Sequence, residues 1–380
     1  MNIKPAATAE FGFSDKLTRA KSDFPSPLPF HLRVTGWSLA ILCTLAFILG
    51  PLMLMLPLPL YFVSPRAAAT LLCIDIALVF QPVGPWSEFR ESFQLFYEIF
   101  DLHHNLTPST LKILKDMNHL SVIAMHPHGI IPLHSFIWSA FCQQKLPELY
   151  GVGATTNIAL FLPILRHILG HLSVVSAKKE TILHEMNRKN KSLFILPGGV
   201  AEIFLSNRRS KTSNGEVQSI KARRHGLMKL ALQTGAVIYP VYIFGATDLF
   251  NQLMPVTKVT ETKKGRMNPL SSLLVSFGEM VESISRRLQG GISIFWGQYF
   301  LPIPHNPRLS MVIGDPVYSV PGTSKLHTSG GKTLRICETI KDPTNEEVEE
   351  LVNRYTDSIH RLFEQYKMEA GYPNDTLKIF

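Results

Sequence analysis

Charged residues vanish from the chain between Arg33 and Arg66. The window VTGWSLAILCTLAFILGPLMLMLPLPLYFVSP exceeds the about 20 apolar residues that a membrane-spanning helix needs. Pro51, Pro57 and Pro59 argue against one straight helix. A second apolar run, 67–80, follows the Ser64-Pro65 turn and Arg66, and holds one acid, Asp75. The pattern predicts a transmembrane helical hairpin over 34–84, down through Trp37 to about Leu56 and back through Ala67 to Val83. Backbone polar groups in lipid must be satisfied within the segment, which favours helices. Asp75 is tolerable there if it faces the partner helix. A re-entrant wedge in one leaflet, or a buried hairpin in a soluble domain, are the alternatives. The run begins too late and extends too far for a cleaved signal peptide. Lys16, Arg19, Lys21 and Arg33 precede it, whereas Arg66 stands alone in the turn. The N-terminal tail, 1–33, is therefore expected in the cytosol, and the chain returns there after the hairpin.

Beyond Pro85 the apolar runs shorten. Residues 120–125, 193–196, 236–244, 292–296 and 309–313 read as buried strands. Between them lie helical patterns. The segment 222–234 sets Leu227, Leu230 and Ala231 on one face and stops at Gly235, a C-cap. Thr344 and Glu347 form a capping box. Behind it Val348, Leu351, Val352, Tyr355, Ile359, Leu362, Phe363 and Tyr366 keep helical spacing, and Gly371 ends the run. Strands alternating with helices predict an α/β domain over 85–380, with a mainly parallel sheet flanked by helices. Ligand sites in such sheets gather at the carboxyl ends of strands. The stretch 257–268 reads as a polar, basic surface loop.

Composition sharpens this picture. The 380 residues are 46% hydrophobic and 18% charged, which excludes a disordered chain. Cys43, Cys73, Cys142 and Cys337 are too few for a disulfide framework and lack metal-ligand spacing. The net charge is +9. Residues 178–229 hold twelve Lys or Arg against four acids, a net +8, so nearly all of the excess is local. Arg223, Arg224 and Lys229 lie in this stretch, and the two arginines are expected to open the helix there. Such a stretch suits phosphates or anionic headgroups. It also suits a plain solvated face. Nucleic acid is the poorest partner, because no recognition motif accompanies the charge.

Candidate chemistry follows two strands. His126-Pro127-His128-Gly129 comes directly after the first, where two histidines are placed for proton transfer and Gly129 permits close backbone approach. Pro197-Gly198-Gly199-Val200-Ala201-Glu202 comes after another, with a glycine pair that frees backbone N–H groups and an acid that can orient a histidine. Each can also be an ordinary turn. His-x-His can chelate a metal, but only His134 lies near enough to add a ligand, short of the usual three or four. No metal is expected.

These motifs resemble the type 2 diacylglycerol acyltransferase family, which includes monoacylglycerol and wax-ester acyltransferases. The resemblance starts at the hairpin and Met125-His126-Pro127-His128-Gly129-Ile130. It continues through Pro197-Gly198-Gly199 with Glu202, then Arg224-His225-Gly226-Leu227-Met228-Lys229-Leu230-Ala231-Leu232. Pro240-Val241-Tyr242, Phe244-Gly245, Phe295-Trp296-Gly297, Gly314-Asp315-Pro316 and the last helix complete it, so that residues 30–368 are covered. The resemblance implies a glycerolipid-acyltransferase-like fold and acyl transfer from acyl-CoA to diacylglycerol, without a bound cofactor. Monoacylglycerol or a long-chain alcohol is the alternative acceptor. A non-enzymatic lipid-binding protein and a metallohydrolase are the rival classes. His126 is the first choice for the general base, with His128 fixing the loop or the substrate. Related enzymes pair a histidine with a downstream Asp; Ile131 stands five residues after His126 here, and Glu202 is the candidate orienting group. Pro127, Pro197, Gly198 and Gly199 would shape the substrate site, and Arg223, Arg224 and Lys229 would hold coenzyme A phosphates. The implied location is the endoplasmic reticulum membrane with the domain facing the cytosol, extending to lipid droplets. A homo-oligomer is compatible with all of this.

Overall fold

The computed structural model describes residues 13–206, 211–212, 215–252, 280–285, 287, 290–291, 293–323, 325–329 and 331–380. The predicted loop 257–268 lies outside them.

The apolar N-terminal window forms three helices, α1 (Phe30–Met55), α2 (Pro57–Val63) and α3 (Pro65–Phe80). Pro51 lies inside α1, while Pro57 and Pro65 open the next two helices, where a missing N–H costs nothing. The Ser64 hydroxyl accepts the Ala67 N–H and caps α3. α3 packs in contact with both α1 and α2. α1 is 26 residues long with mean hydropathy 2.3 in its most apolar window, long and apolar enough to cross a membrane. Its inner face is small: Gly36, Ala40, Cys43, Ala46 and Gly50 are buried. Leu42, Leu52 and Met55 are exposed on the rest of its surface.

Among the described residues the main sheet has nine strands. In chain order they are β1 (Thr18–Arg19), β2 (His103–His104), β3 (Ser121–His126), β4 (Val152–Thr155), β5 (Val174–Ser176), β6 (Leu193–Ile195), β7 (Val237–Phe244), β8 (Ser310–Ile313) and β9 (Val317–Tyr318). β3 is central, parallel to β6 on one side and to β7 on the other. β4 and β5 extend the parallel part beyond β6. The expectation of a mainly parallel sheet describes this half; the whole sheet is mixed. β8 and β9 both run antiparallel to β7, and β1 runs antiparallel to β2. The short link 314–316 lets β8 and β9 lie along the same neighbour, with Gly314 N–H donating to the Pro240 carbonyl at 2.8 Å. Antiparallel strands added to the edge of a parallel core are common in large sheets.

Alternate residues of each central strand serve opposite faces, as the period of two requires. Ile123, Met125, Tyr239, Val241 and Ile243 enter one core with α4 (Leu133–Lys145) and the small face of α1. Val122, Ala124, Ile238, Tyr242 and Phe244 enter the other. There they meet α6 (His225–Thr234) and α7 (Asn345–Tyr366); α5 (Val200–Ser206) leads out of β6. The capping box of α7 is present: Thr344 Oγ1 accepts the Glu347 N–H at 3.2 Å and Glu347 Oε2 accepts the Thr344 N–H at 2.8 Å.

Most boundaries shift by a residue or so; three differ in ways that matter here. The strand expected over 292–296 is only Phe295–Trp296, paired with Asn251–Gln252, and Ile292 is outside the described residues. α1 starts at Phe30 rather than 34. α6 starts at His225 rather than 222, so Arg223 and Arg224 precede it. The Arg223 N–H is held by the Phe380 carbonyl at 3.1 Å, prolonging the pairing of Gly215–Ile220 with Thr376–Ile379, and Arg224 is a non-helical N-cap.

Candidate active site

β3 and β6 are neighbouring parallel strands, so the loops that follow them open on the same edge of the sheet. That is how residues 76 positions apart meet. His126 is the last residue of β3 and is fully buried. After β6, Pro197-Gly198-Gly199 turns the chain into α5, and Glu202 projects from its first turn, also fully buried. His126 Nδ1 is 2.7 Å from Glu202 Oε1.

The carboxylate accepts at least three donors. Lys221 N–H reaches Oε1 at 2.8 Å, beside the His126 bond, and His128 N–H reaches Oε2 at 2.7 Å. Burial by itself would raise the Glu202 pKa. The His126 ring and the two backbone donors outweigh this and hold it below the ordinary value. Glu202 is therefore an anion that ties the end of β3, the loop after it and the strand before α6 together.

Gly198 makes this possible by having no side chain. A Cβ there would collide with the Glu202 carboxyl group. Arg224 holds the same turn from outside: Nε donates to the Pro197 carbonyl at 2.7 Å and Nη2 to the Gly198 carbonyl at 2.6 Å. Gly129 is needed for another reason. Its φ of +67° lies in the left-handed region, and a Cβ would press on the Ala246 carbonyl at 3.0 Å.

Partners fix the tautomers. An ionised carboxylate only accepts, so His126 Nδ1 carries the hydrogen. In the neutral ring Nε2 then holds a lone pair, and the Tyr355 hydroxyl lies 3.1 Å from it. Burial and the Glu202 charge push the Tyr355 phenol well above its usual pKa, so it stays protonated and donates. His128 is arranged differently. It is only partly buried, and its Nδ1 donates to the Gly129 carbonyl at 2.9 Å, which leaves the lone pair on Nε2. Burial lowers the His128 pKa and the nearby His126 ring adds to this, against the opposing effects of the Gly129 carbonyl and Glu202. His134, buried in the first turn of α4, is pushed down to about 3, first by burial and then by His128, and is neutral. Among the described residues no group of three or more His, Cys, Asp or Glu is arranged to hold a metal ion.

The remaining basic residues divide. Arg224 touches the site through the Pro197-Gly198 turn. Arg223 ion-pairs with Glu349 on α7 and donates to Asn353 at 3.1 Å. Lys229 lines an open cavity of ≈ 900 Å³ whose walls include Glu346, Glu349 and Glu350. The structure thus draws Arg223 and Lys229 toward α7 rather than to His126. The sequence pattern does not single out Tyr355 or the Lys221 N–H as site groups. Tyr355 carries the apolar period of α7 and reads there as core; only its polar tip among apolar neighbours distinguishes it.

Comparison with known proteins adds the context. The family described as diacylglycerol acyltransferase matches residues 86–380. Diacylglycerol O-acyltransferase 2-like protein 6 of Mus musculus is 27% identical over 282 residues, covering 70% of this chain and 69% of that protein. 2-acylglycerol O-acyltransferase 1 of Bos taurus is 26% identical over 278 residues, 70% of each chain. Diacylglycerol O-acyltransferase 2 of Xenopus laevis is 27% identical over 282 residues, 71% of this chain and 65% of that protein. The matched region takes in both strand-end loops, α6 and α7, and the chain belongs to the diacylglycerol acyltransferase family.

Proposed function

We propose that this acyltransferase moves an acyl group from acyl-CoA to the free hydroxyl of diacylglycerol, giving triacylglycerol, with His128 as the general base. The observation that carries this is the buried Glu202–His126 pair beneath a loop whose second histidine keeps an available Nε2 lone pair. On sequence alone His126 is the first choice. Its Nε2 is closed by Tyr355 and its ring is fully buried, which favours His128 for contact with substrate. The acceptor hydroxyl gives its proton to His128 Nε2 as its oxygen attacks the thioester carbonyl. The C–S bond then breaks, and the coenzyme A sulfur takes the proton back from His128. His128 N–H is engaged by Glu202 and Gly199 N–H by the Leu196 carbonyl, so the oxyanion falls to the N–H groups of Gly129 and Gly198. Glu202 and His126 act as positioning residues, because they hold the loop that carries the base.

The substrates are hydrophobic, and the N-terminal helices suit their location. Leu42, Leu52, Met55, Phe62, Val63, Leu72 and Phe80 are exposed across α1, α2 and α3, a surface fitted to lipid. In this reading 34–84 is a membrane hairpin in the endoplasmic reticulum, and 85–380 faces the cytosol with access to lipid droplets. The name of the bovine relative favours monoacylglycerol as the second acceptor to consider.

Isolated membranes bearing the chain, given labelled acyl-CoA and a panel of lipid alcohols, test the proposal. Triacylglycerol is the expected product. Diacylglycerol or wax ester as the main product transfers the assignment to another acceptor, and no acyl transfer to any lipid alcohol sinks it.

Gly198→Ala tests the geometry. The added methyl must displace the Glu202 carboxylate, and misplacement by about 1 Å can cost about 100-fold in rate. Gly226→Ala is the control, since a Cβ there meets nothing within 4 Å. Equal rates for the two variants would contradict the assigned role of Glu202.

A further inference from the structure

β3 has a second end. His119 lies two residues before the strand, roughly 20 Å from His126 at about 3.3 Å per extended residue. It lines an open, solvent-facing cavity of ≈ 590 Å³ with Ile113, Asp116, Met117, Tyr318 and Arg335. None of these residues belongs to the acyl-transfer site. His119 is 5% exposed, yet its Nδ1 has no hydrogen-bond partner. Burial and the neighbouring Arg335 guanidinium lower its pKa to about 4, so the ring is neutral. The Tyr318 ring stands edge-on to it at 5.8 Å and fixes its plane. Arg335 and Asp116 are both exposed to solvent, and among the described residues neither has a side-chain hydrogen bond or ion pair.

Nδ1 is closed to solvent, so the ring meets a group in the cavity through its Nε2 edge. A guanidinium and a carboxylate that share a cavity without pairing leave room for a group between them. We propose that this cavity is a second ligand site, for a phosphate ester carrying an ammonium or hydroxyl arm. The Arg335 guanidinium matches two phosphate oxygens at once, and the neutral His119 ring supplies a further N–H. Asp116 accepts from the ammonium or hydroxyl arm. Ile113, which is exposed at the wall, and Met117 cover the intervening carbons. Inorganic phosphate fits less well, because it offers Asp116 only repulsion. The same chemistry exists free in solution and in the headgroup of a single-chain phospholipid.

Calorimetric titration of the full chain in detergent micelles tests this, with phosphoethanolamine, inorganic phosphate and lysophosphatidylethanolamine as probes. Phosphoethanolamine is expected to bind saturably and more tightly than inorganic phosphate. Arg335→Met, an exposed position, should weaken it at least tenfold. Asp116→Asn should weaken phosphoethanolamine several-fold while strengthening inorganic phosphate. His128→Ala should bind as the wild type does, since the site stands apart from acyl transfer. Tighter, Arg335-dependent binding of lysophosphatidylethanolamine identifies a lipid headgroup as the source, and equal affinity identifies the free ester. Absence of saturable binding by both phosphoethanolamine and lysophosphatidylethanolamine, or binding unchanged in Arg335→Met, overturns the proposal.

Discussion

Replacing Glu202 with alanine is expected to lower acyl transfer by about 10³-fold and to destabilise the fold by about 3–5 kcal/mol. Both effects have one origin. Glu202 is fully buried and receives His126 Nδ1 and two backbone N–H groups, one from the loop after β3 and one from Lys221. Alanine leaves those three donors without an acceptor in a place that water does not reach. The loop that presents His128 then loses its anchor. Glu202→Gln separates charge from shape. Its amide oxygen can serve His126 and Lys221, but its NH₂ group then faces the His128 N–H, so one donor stays unsatisfied at about 1–3 kcal/mol. The glutamine variant should therefore fall between wild type and alanine in thermal unfolding and in rate. The pH dependence has a definite sign. The folded pKa of Glu202 is held below its ordinary 4.5, so its contribution to stability is complete above that pH. The contribution is lost as pH falls toward the lower folded value. Wild-type protein should lose stability there faster than Glu202→Gln does. If both variants kept wild-type activity and unfolding temperature, Glu202 would have no part in the site.

How much of this was legible in the chain follows from how local each signal is. The capping box and apolar stripe of α7 are written within 23 residues, and the helix runs as its pattern predicts. β3 and β7 have largely apolar runs because both their faces are covered. The antiparallel placement of β8 and β9 was not legible. Four or five apolar residues look alike in either direction, and their pairing with β7 depends on contacts about seventy positions away. Arg223 and Arg224 show the same limit on charge. Their sequence neighbourhood is strongly basic, yet each is directed by a distant partner, Glu349 for one and the Pro197-Gly198 carbonyls for the other. The two strand-end motifs could be read as candidates. The atoms that divide labour between the histidines could not, because Tyr355 comes from a helix 229 positions downstream of His126.

That division of labour yields the second large effect. His128→Ala is expected to reduce acyl transfer by about 10²–10⁴-fold, the range for loss of a general base, while barely changing thermal unfolding, because the ring is only partly buried. His126→Ala should cost as much activity but also about 3–5 kcal/mol of stability, since it strips Glu202 of its buried partner. Tyr355→Phe distinguishes the two bases. It deletes the one hydroxyl that lies on His126 Nε2 and leaves His128 untouched. With His128 as the base, the variant should transfer acyl groups within about threefold of wild type and with the same pH profile; the threefold margin corresponds to about 0.7 kcal/mol in barrier height. With His126 as the base, freeing Nε2 should shift the acid limb of that profile. The wild-type profile carries its own sign. Burial holds the His128 pKa below its ordinary 6.5, so the acid limb of the activity profile lies below that value. Activity then drops only where the ring protonates. Rates for the three variants at matched folded amounts decide the assignment. Retained activity in His128→Ala together with none in His126→Ala would return the base to the end of β3.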